Sequence, residues 1–184
     1  MRQSSEPGSL DVAPGGRPRI IVGVMGGAEV GAAVCRTAHV LGRLIAEQGW
    51  VLLTGGRDRG VMRAAAQGAK EVPGSLTLGV LPDRSWRAAN PYIDLPVATG
   101  LGDARNVVNV LTSRVVFACR GGAGTLSEIA LALKNGRPVI LVDFEEARAV
   151  GPVVGEGAPL HATPTPAAAV SLAARLLAAE PAAP

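Results

Sequence analysis

Residues 115–133 read VVFACRGGAGTLSEIALAL, and this stretch decides the fold. Val115-Val116-Phe117-Ala118-Cys119 is a continuous apolar run, the pattern of a strand buried on both faces. Arg120-Gly121-Gly122-Ala123-Gly124-Thr125-Leu126-Ser127-Glu128 follows without a break, and Ile129 to Leu133 is Ala/Leu-rich at helical spacing. A strand, a glycine turn and a helix start in that order make a phosphate site. Glycines let the backbone turn tightly and approach a ligand with no Cβ in the way. The unpaired N–H groups of the first helical turn then face the ligand, and the helix dipole favours an anion there. Gly121, Gly122 and Gly124, three glycines in four positions, favour this reading over a plain strand-to-helix turn.

The same punctuation recurs upstream. Arg19 to Met25 reads as a first strand, followed by Gly26-Gly27 and a helix from about Val30 to Gln48, with Gly49 placed to stop it. Trp50 to Thr54 is a second buried strand, ending in Gly55-Gly56-Arg57-Asp58-Arg59-Gly60 and an Ala-rich helix from Val61 to about Lys70. Leu76 to Leu81 is a third strand, and the polar, turn-rich Pro82 to Pro96 is a loop able to lie over a site. Val97-Ala98-Thr99 reads as a short edge strand, and Asp103 as the N-cap of a helix from Ala104 to Thr112. After the central element, Gly136 stops the helix and Val139 to Val142 is another strand. Phe144 to Pro164 reads as loosely structured, and Thr165-Pro166 opens a last Ala/Leu helix to about Ala179.

Strands alternating with helices give right-handed βαβ units, hence an α/β fold with one doubly wound, Rossmann-like parallel sheet. Ligands bind such sheets at the carboxyl ends of the strands. All three glycine turns fall on that rim. Residues 1–18 are rich in Ser, Pro and Gly, lack an apolar signal core and read as a flexible tail, leaving residues 19–180 as one domain.

Composition narrows the function. Aromatics are 3% of the chain and the scattered basic residues are nearly all arginine, which argues against a nucleic-acid groove and fits single arginines gripping an anion. No run is long enough to span a membrane. Cys35 and Cys119, far apart and in apolar settings, read as buried thiols in a reducing, cytoplasmic setting, with no metal site. Dinucleotide binding is disfavoured: the first strand lacks G-x-G-x-x-G, and Thr54-Gly55-Gly56 brings no acid for a ribose. No Gly-Lys-Ser/Thr exists for a nucleoside triphosphatase.

The candidate ligand- and phosphate-binding residues are Gly26, Gly27, Gly55, Gly56, Arg57, Arg59, Arg105, Arg120, Gly121, Gly122, Gly124, Thr125 and Glu128. Glu128 has two readings. Thr125-x-x-Glu128 matches a capping box, a purely structural device. Alternatively Glu128 sits at the rim as a hydrogen-bond acceptor or acid/base, with Arg105 offsetting its charge near an anion. Asn109, four residues after Arg105, shares its helical face, and Asn106 lies off it. Neither His39 nor His161 has a partner of recognisable spacing: His39 reads as helix packing or surface, His161 as a loop residue.

Thr54-Gly55-Gly56 with Gly60-Val61-Met62, Ala104-Arg105-Asn106, and Gly121-Gly122-x-Gly124-Thr125-x-x-Glu128 resemble the LOG-like (SLOG) Rossmann superfamily over roughly Arg19 to Val142. Gly23 to Glu29, Leu81-Pro82-Asp83 and Asn90-Pro91-Tyr92 are similar to its molybdenum-cofactor carrier branch. The resemblance implies a phosphate-tailed pterin or nucleotide across the glycine turns, molybdenum cofactor as cargo, and a homodimer or homotetramer. The LONELY GUY branch, also similar, cleaves the N-glycosidic bond of nucleoside 5′-monophosphates. Carried over by position, Arg105 and Glu128 match its catalytic pair. Asn106 replaces its lysine, however, and Arg120 the proline before the double glycine. The label "lysine decarboxylase" common in this superfamily does not fit: a pyridoxal-phosphate enzyme needs a Schiff-base lysine. Lys70 and Lys134, the only two, fall at helix ends away from the rim.

Overall fold

The structure, a computed structural model, describes residues 19–155 and 157–179; the expected tail lies outside them. Seven strands form one sheet: β1 (Ile21–Met25), β2 (Val51–Thr54), β3 (Thr77–Leu81), β4 (Leu95–Ala98), β5 (Val116–Ala118), β6 (Val139–Val142) and β7 (Leu160–Thr163). Their order is β4-β3-β2-β1-β5-β6-β7, and every pairing is parallel. The helices are α1 (Ala32–Glu47), α2 (Gly60–Ala69), α3 (Asn106–Thr112), α4 (Ala123–Lys134), α5 (Val150–Val154) and α6 (Pro166–Ala179).

The chain winds outward from β1 through β4, then returns to β5 on the other side of β1 and winds the opposite way. The carboxyl ends of β1 and β5 therefore flank the switch point, where doubly wound sheets open a crevice. Strand residues alternate between two cores. Val22, Val24, Leu52, Phe117, Ile140 and Val142 pack toward α1, α2 and α6. Met25, Leu53, Val116, Ala118 and Leu141 pack toward α3 and α4. Burial on both faces explains why these strands read as unbroken apolar runs.

The pairing of α1 with α2 depends on missing side chains. A Cβ on Gly42 would strike the Ala65 carbonyl, and one on Gly68 the His39 carbonyl. The two helices thus approach backbone to backbone, which positions the β2–α2 turn beside the β1–α1 turn.

Three expectations are corrected. Phe144 to Pro164 contains a 3₁₀ turn at Glu145–Ala149, α5 and the seventh strand, β7. This strand is short, half-buried at the sheet edge and bracketed by Pro159 and Pro164, so its apolar pattern is weak. His161 consequently lies in a strand, paired in register with Ile140. Asp103 is no N-cap: a 3₁₀ turn at Gly102–Arg105 precedes α3, and Asp103 sits inside it. The edge strand β4 begins two residues earlier than expected, at Leu95.

Both cysteines are free; Cys119 is buried and Cys35 half-buried. Burial pushes the Cys119 thiol up to about 12, assisted by the Asp143 charge, so it carries no thiolate at neutral pH. Among the described residues no helix is long and apolar enough to cross a membrane.

Candidate functional site

The three glycine turns are joined by backbone hydrogen bonds. The Gly27 N–H donates to the Arg120 carbonyl at 3.0 Å, and the Val61 N–H donates to the Gly27 carbonyl at 3.1 Å. Gly60 makes the second bond feasible: its φ of +45° is a left-handed conformation, and its Cα faces the carbonyls of Gly27 and Ala28. Gly121 has the same function at the other junction, where a Cβ would meet Thr125 Oγ1 and the Gly27 nitrogen.

Above this junction lies an open cleft of about 260 Å³. Its walls come from Gly26, Gly27 and Ala28 after β1, Gly55 and Arg57 after β2, Asp103, Arg105 and Asn106 before and at the start of α3, and Gly122, Gly124, Thr125 and Glu128 of the α4 turn. The cleft therefore sits at the switch point. Helix α4 starts at Ala123 with Gly122 as its N-cap, and no side chain caps it. Its first N–H groups have no intrahelical partner and open onto the cleft rim.

That start also decides between the two readings of Glu128. With Gly122 at the N-cap, Thr125 is already the third helical residue, so Thr125 and Glu128 do not form a capping box. Glu128 points across to α3 instead. Its Oε1 accepts from Asn109 Nδ2 at 2.8 Å and lies 3.4 Å from Arg105 Nη1. Glu128 and Arg105 side chains are 9% and 12% exposed, so the pair is nearly out of water. Burial pushes the Glu128 carboxyl above its usual range, although the Asn109 bond and the Arg105 charge pull the other way. Burial likewise lowers Arg105, against the Glu128 charge and reinforced by Arg57. Arg105 fits here because Gly55 has no side chain: a Cβ there would sit 2.8 Å from Nη2. Two polar atoms remain unpartnered in this buried cluster, Arg105 Nε and Asn109 Oδ1.

The other expected residues divide. Arg57 lines the cleft, its Nη2 lying 3.4 Å from both oxygens of Asp83. Arg59 points outward, 3.8 Å from the exposed Glu29, and is not part of the cleft wall. Arg120 is not in the cleft wall either. Its guanidinium bonds Glu146 at 2.6 Å, lies over the Phe144 ring and lines a separate, smaller cavity with Asp143 and Thr163. Its backbone carbonyl ties the turn after β5 to Gly27 and does not line the cleft. Gly56 and Gly121 also stay out of the wall and serve close packing, Gly56 against Gly79 at a φ of +75°. Asn106, placed off the Arg105 face from spacing, does line the cleft and donates to Ser127 Oγ at 2.8 Å. The 3₁₀ turn before α3 breaks the helical spacing on which that placement rested. Asn109 holds Glu128 from within the core, which its spacing from Arg105 hinted at. Neither lysine contributes: Lys70 bonds Asp94 and the Ser75 carbonyl, and Lys134 ends α4.

Fold and cleft together define a Rossmann-like doubly wound α/β protein with an open cleft at the switch point. Within that class the chain belongs to the SLOG cluster4 family, whose model matches residues 19–169. It is similar to the molybdenum cofactor binding protein of the phototrophic bacterium Rippkaea orientalis, at 42% identity and a TM-score of 0.82, over 88% of this chain and 99% of that one. It is also similar to the molybdenum cofactor carrier protein of Chlamydomonas reinhardtii, at 39% identity and a TM-score of 0.79, over 88% and 99% of the two chains. An uncharacterised protein of Archaeoglobus fulgidus is 43% identical over 143 residues, 78% of this chain and 88% of that one. DNA processing protein A of Helicobacter pylori, at 18% identity and a TM-score of 0.64, shares the fold alone.

Proposed function

We propose that this protein binds and carries a phosphorylated small molecule, with molybdenum cofactor as its cargo. The observation that carries the reading is one cleft with both parts of an oxyanion site: the uncapped α4 start at Gly122 to Thr125, and the cations Arg57 and Arg105 across from it. Backbone N–H groups and arginine forks together suit a phosphate. The donor set also suits a polar ring attached to that phosphate. Asn106 and Glu128 offer a donor and an acceptor at the wall, and Arg105 Nε has no partner among the described residues. Two relatives at about 40% identity over nearly their whole length bind or carry molybdenum cofactor, which supports this cargo. The carrier works as a homo-oligomer in the cytoplasm; Val107, Leu111 and Leu126 on neighbouring α3 and α4 leave apolar surface open for self-association.

A second reading rests on the Arg105–Glu128 pair. A buried carboxylate with a raised proton affinity beside an arginine is the equipment of a phosphoribohydrolase, in which Glu128 stabilises an oxocarbenium-like sugar or activates water. One comparison separates the readings. Purified protein is mixed with molybdenum cofactor and passed through gel filtration, and the protein peak is assayed for pterin; in parallel it is incubated with nucleoside 5′-monophosphates and assayed for free base. Co-elution of pterin without base release establishes the carrier. Base release that is abolished in Glu128→Ala establishes the hydrolase.

A further inference from the structure

We propose that Asp83 sets the affinity of the cleft: it competes with the ligand for Arg57, so every anion that takes Arg57 must first displace the Asp83 carboxylate. This deepens the proposed function and rests on the cleft taking a phosphate.

The two arginines of the cleft differ in their commitments. Arg105 is buried and held by Glu128, itself fixed by Asn109. Arg57 is about half exposed, and so is Asp83, at 47% and 39% of the side chain. The Arg57 Nη2 sits 3.4 Å from both carboxylate oxygens, at the outer limit of a hydrogen bond. Two other surface pairs are tighter, Arg63 to Asp58 at 2.7 Å and Arg120 to Glu146 at 2.6 Å, while Arg59 to Glu29 is looser still at 3.8 Å. The Arg57–Asp83 contact is thus loose and solvated, the kind of pair worth little to the fold.

The backbones beneath it are nonetheless fixed to each other. Arg57 pairs with Ala89 in a β-bridge. The Asn90 N–H donates to the Gly56 carbonyl at 2.9 Å, and its side-chain amide donates to the carbonyls of Gly56 and Arg57 at 3.1 and 3.3 Å. The far end of the loop that begins at Asp83 is therefore anchored to the Arg57 backbone, whereas the side-chain contact between Arg57 and Asp83 is long. One carboxylate is the reference that any ligand must outcompete. A phosphomonoester dianion, with twice its charge and fork-matching oxygens, is equipped to displace it, and the lost contact is subtracted from the affinity.

The test is calorimetric titration of inorganic phosphate into wild type, Asp83→Asn, Arg57→Ala and the double variant, at a pH where phosphate is mainly dianionic. Unchanged melting temperatures confirm that all four fold. Asp83→Asn is expected to bind phosphate about two- to fivefold tighter, the fold-change of losing one exposed ion pair. Acetate, the monoanion control, is expected to gain by the same factor, because the displaced contact is a cost common to every ligand of Arg57. Arg57→Ala weakens phosphate binding, and adding Asp83→Asn to it restores nothing. An equal gain in both backgrounds means that Asp83 acts only as a nearby negative charge, and overturns the proposal while leaving the phosphate cleft intact. Unchanged affinity in Asp83→Asn overturns it likewise. Absence of phosphate binding in all four proteins overturns both the proposal and the reading beneath it.

Discussion

Arg105 of the turn before α3 and Glu128 of α4 meet at 3.4 Å across the floor of the cleft, and each is nearly excluded from water. The pair joins two elements that enter the sheet from different crossovers. Removing one partner leaves the other charge buried and uncompensated, which costs about 3–5 kcal/mol when burial is complete. Arg105→Ala is therefore expected to lower the unfolding free energy by about 3 kcal/mol in a denaturant titration. Glu128→Gln keeps an acceptor for Asn109 and leaves Arg105 beside the open cleft, so its cost is smaller, about 1–2 kcal/mol.

The same pair sets a pH dependence. The folded Glu128 carboxyl holds its proton above the ordinary value of 4.5, through burial. Over the window from that value up to the raised one, the native state binds more protons than the unfolded chain. Stability from this group is then complete below pH 4.5 and falls as pH rises through the folded value. Thermal melts of wild type and Glu128→Gln across pH 4 to 8 check the sign. The difference between them is expected to narrow as the pH rises.

Asp94 titrates in the opposite sense. Burial pushes its carboxyl up, but bonds from Lys70 and from the Thr77 backbone and hydroxyl outweigh it and hold the carboxyl below its ordinary 3.8. Its contribution is fully present above that value and is lost as pH falls through the lower, folded value. The carboxylate joins the end of α2 to the start of β3, accepting from Lys70 Nζ at 3.0 Å and from the Thr77 N–H at 2.9 Å. Asp94→Asn is expected to cost about 2 kcal/mol at pH 7 and to flatten the acid limb of the stability curve. Acid titrations of wild type and variant, followed by circular dichroism, read both effects.

The alternation of apolar runs, glycine turns and amphipathic helices made the sheet legible, because strands buried on both faces leave no polar interruptions. β6 falls where the Val139–Val142 run puts it, and Pro166 opens α6 as its fixed φ suggests. The elements that escaped were those with weak signals: β7 at a half-buried edge, and the 3₁₀ turn that moved Asp103 out of its capping position. In the site, the glycine rim was visible because glycine is costly elsewhere. Side-chain direction was not. The guanidinium of Arg120 turns to Glu146, a residue 26 positions away, and no local pattern reports that. Asn106 reaches the wall for a similar reason, since spacing arguments assume a continuous helix.

The crossing of α1 and α2 makes a strong claim on two glycines outside the site. A methyl at Gly42 meets the Ala65 carbonyl, and one at Gly68 meets the His39 carbonyl; both obstacles are backbone, which cannot rotate away. Gly42→Ala and Gly68→Ala are each expected to destabilise by about 3 kcal/mol, against the small gain that alanine brings to an open helix. Because this packing aligns the turns after β1 and β2, the variants that still fold are expected to bind ligand more weakly. Denaturant unfolding and calorimetry on the same samples test both halves.

Gly124 gives the converse experiment, a change that leaves the fold alone and touches the site. It lies in the first turn of α4 and lines the cleft, and a Cβ built on it meets nothing within 4 Å. Folding places no steric demand for glycine at this position, and helix propensity argues against it. Gly124→Ala is expected to gain up to about 1 kcal/mol, a rise of about 2 °C in Tm for a chain of this size. In the proposed binding mode, the added methyl stands where an oxyanion would approach the amides of the turn. Ligand affinity is expected to fall about tenfold, the equivalent of losing one hydrogen bond to a charged group at about 1.4 kcal/mol. A variant that melts higher yet binds weaker separates the rim's chemistry from its packing. If Gly124→Ala instead binds phosphate as well as wild type does, the α4 start is not where the anion sits.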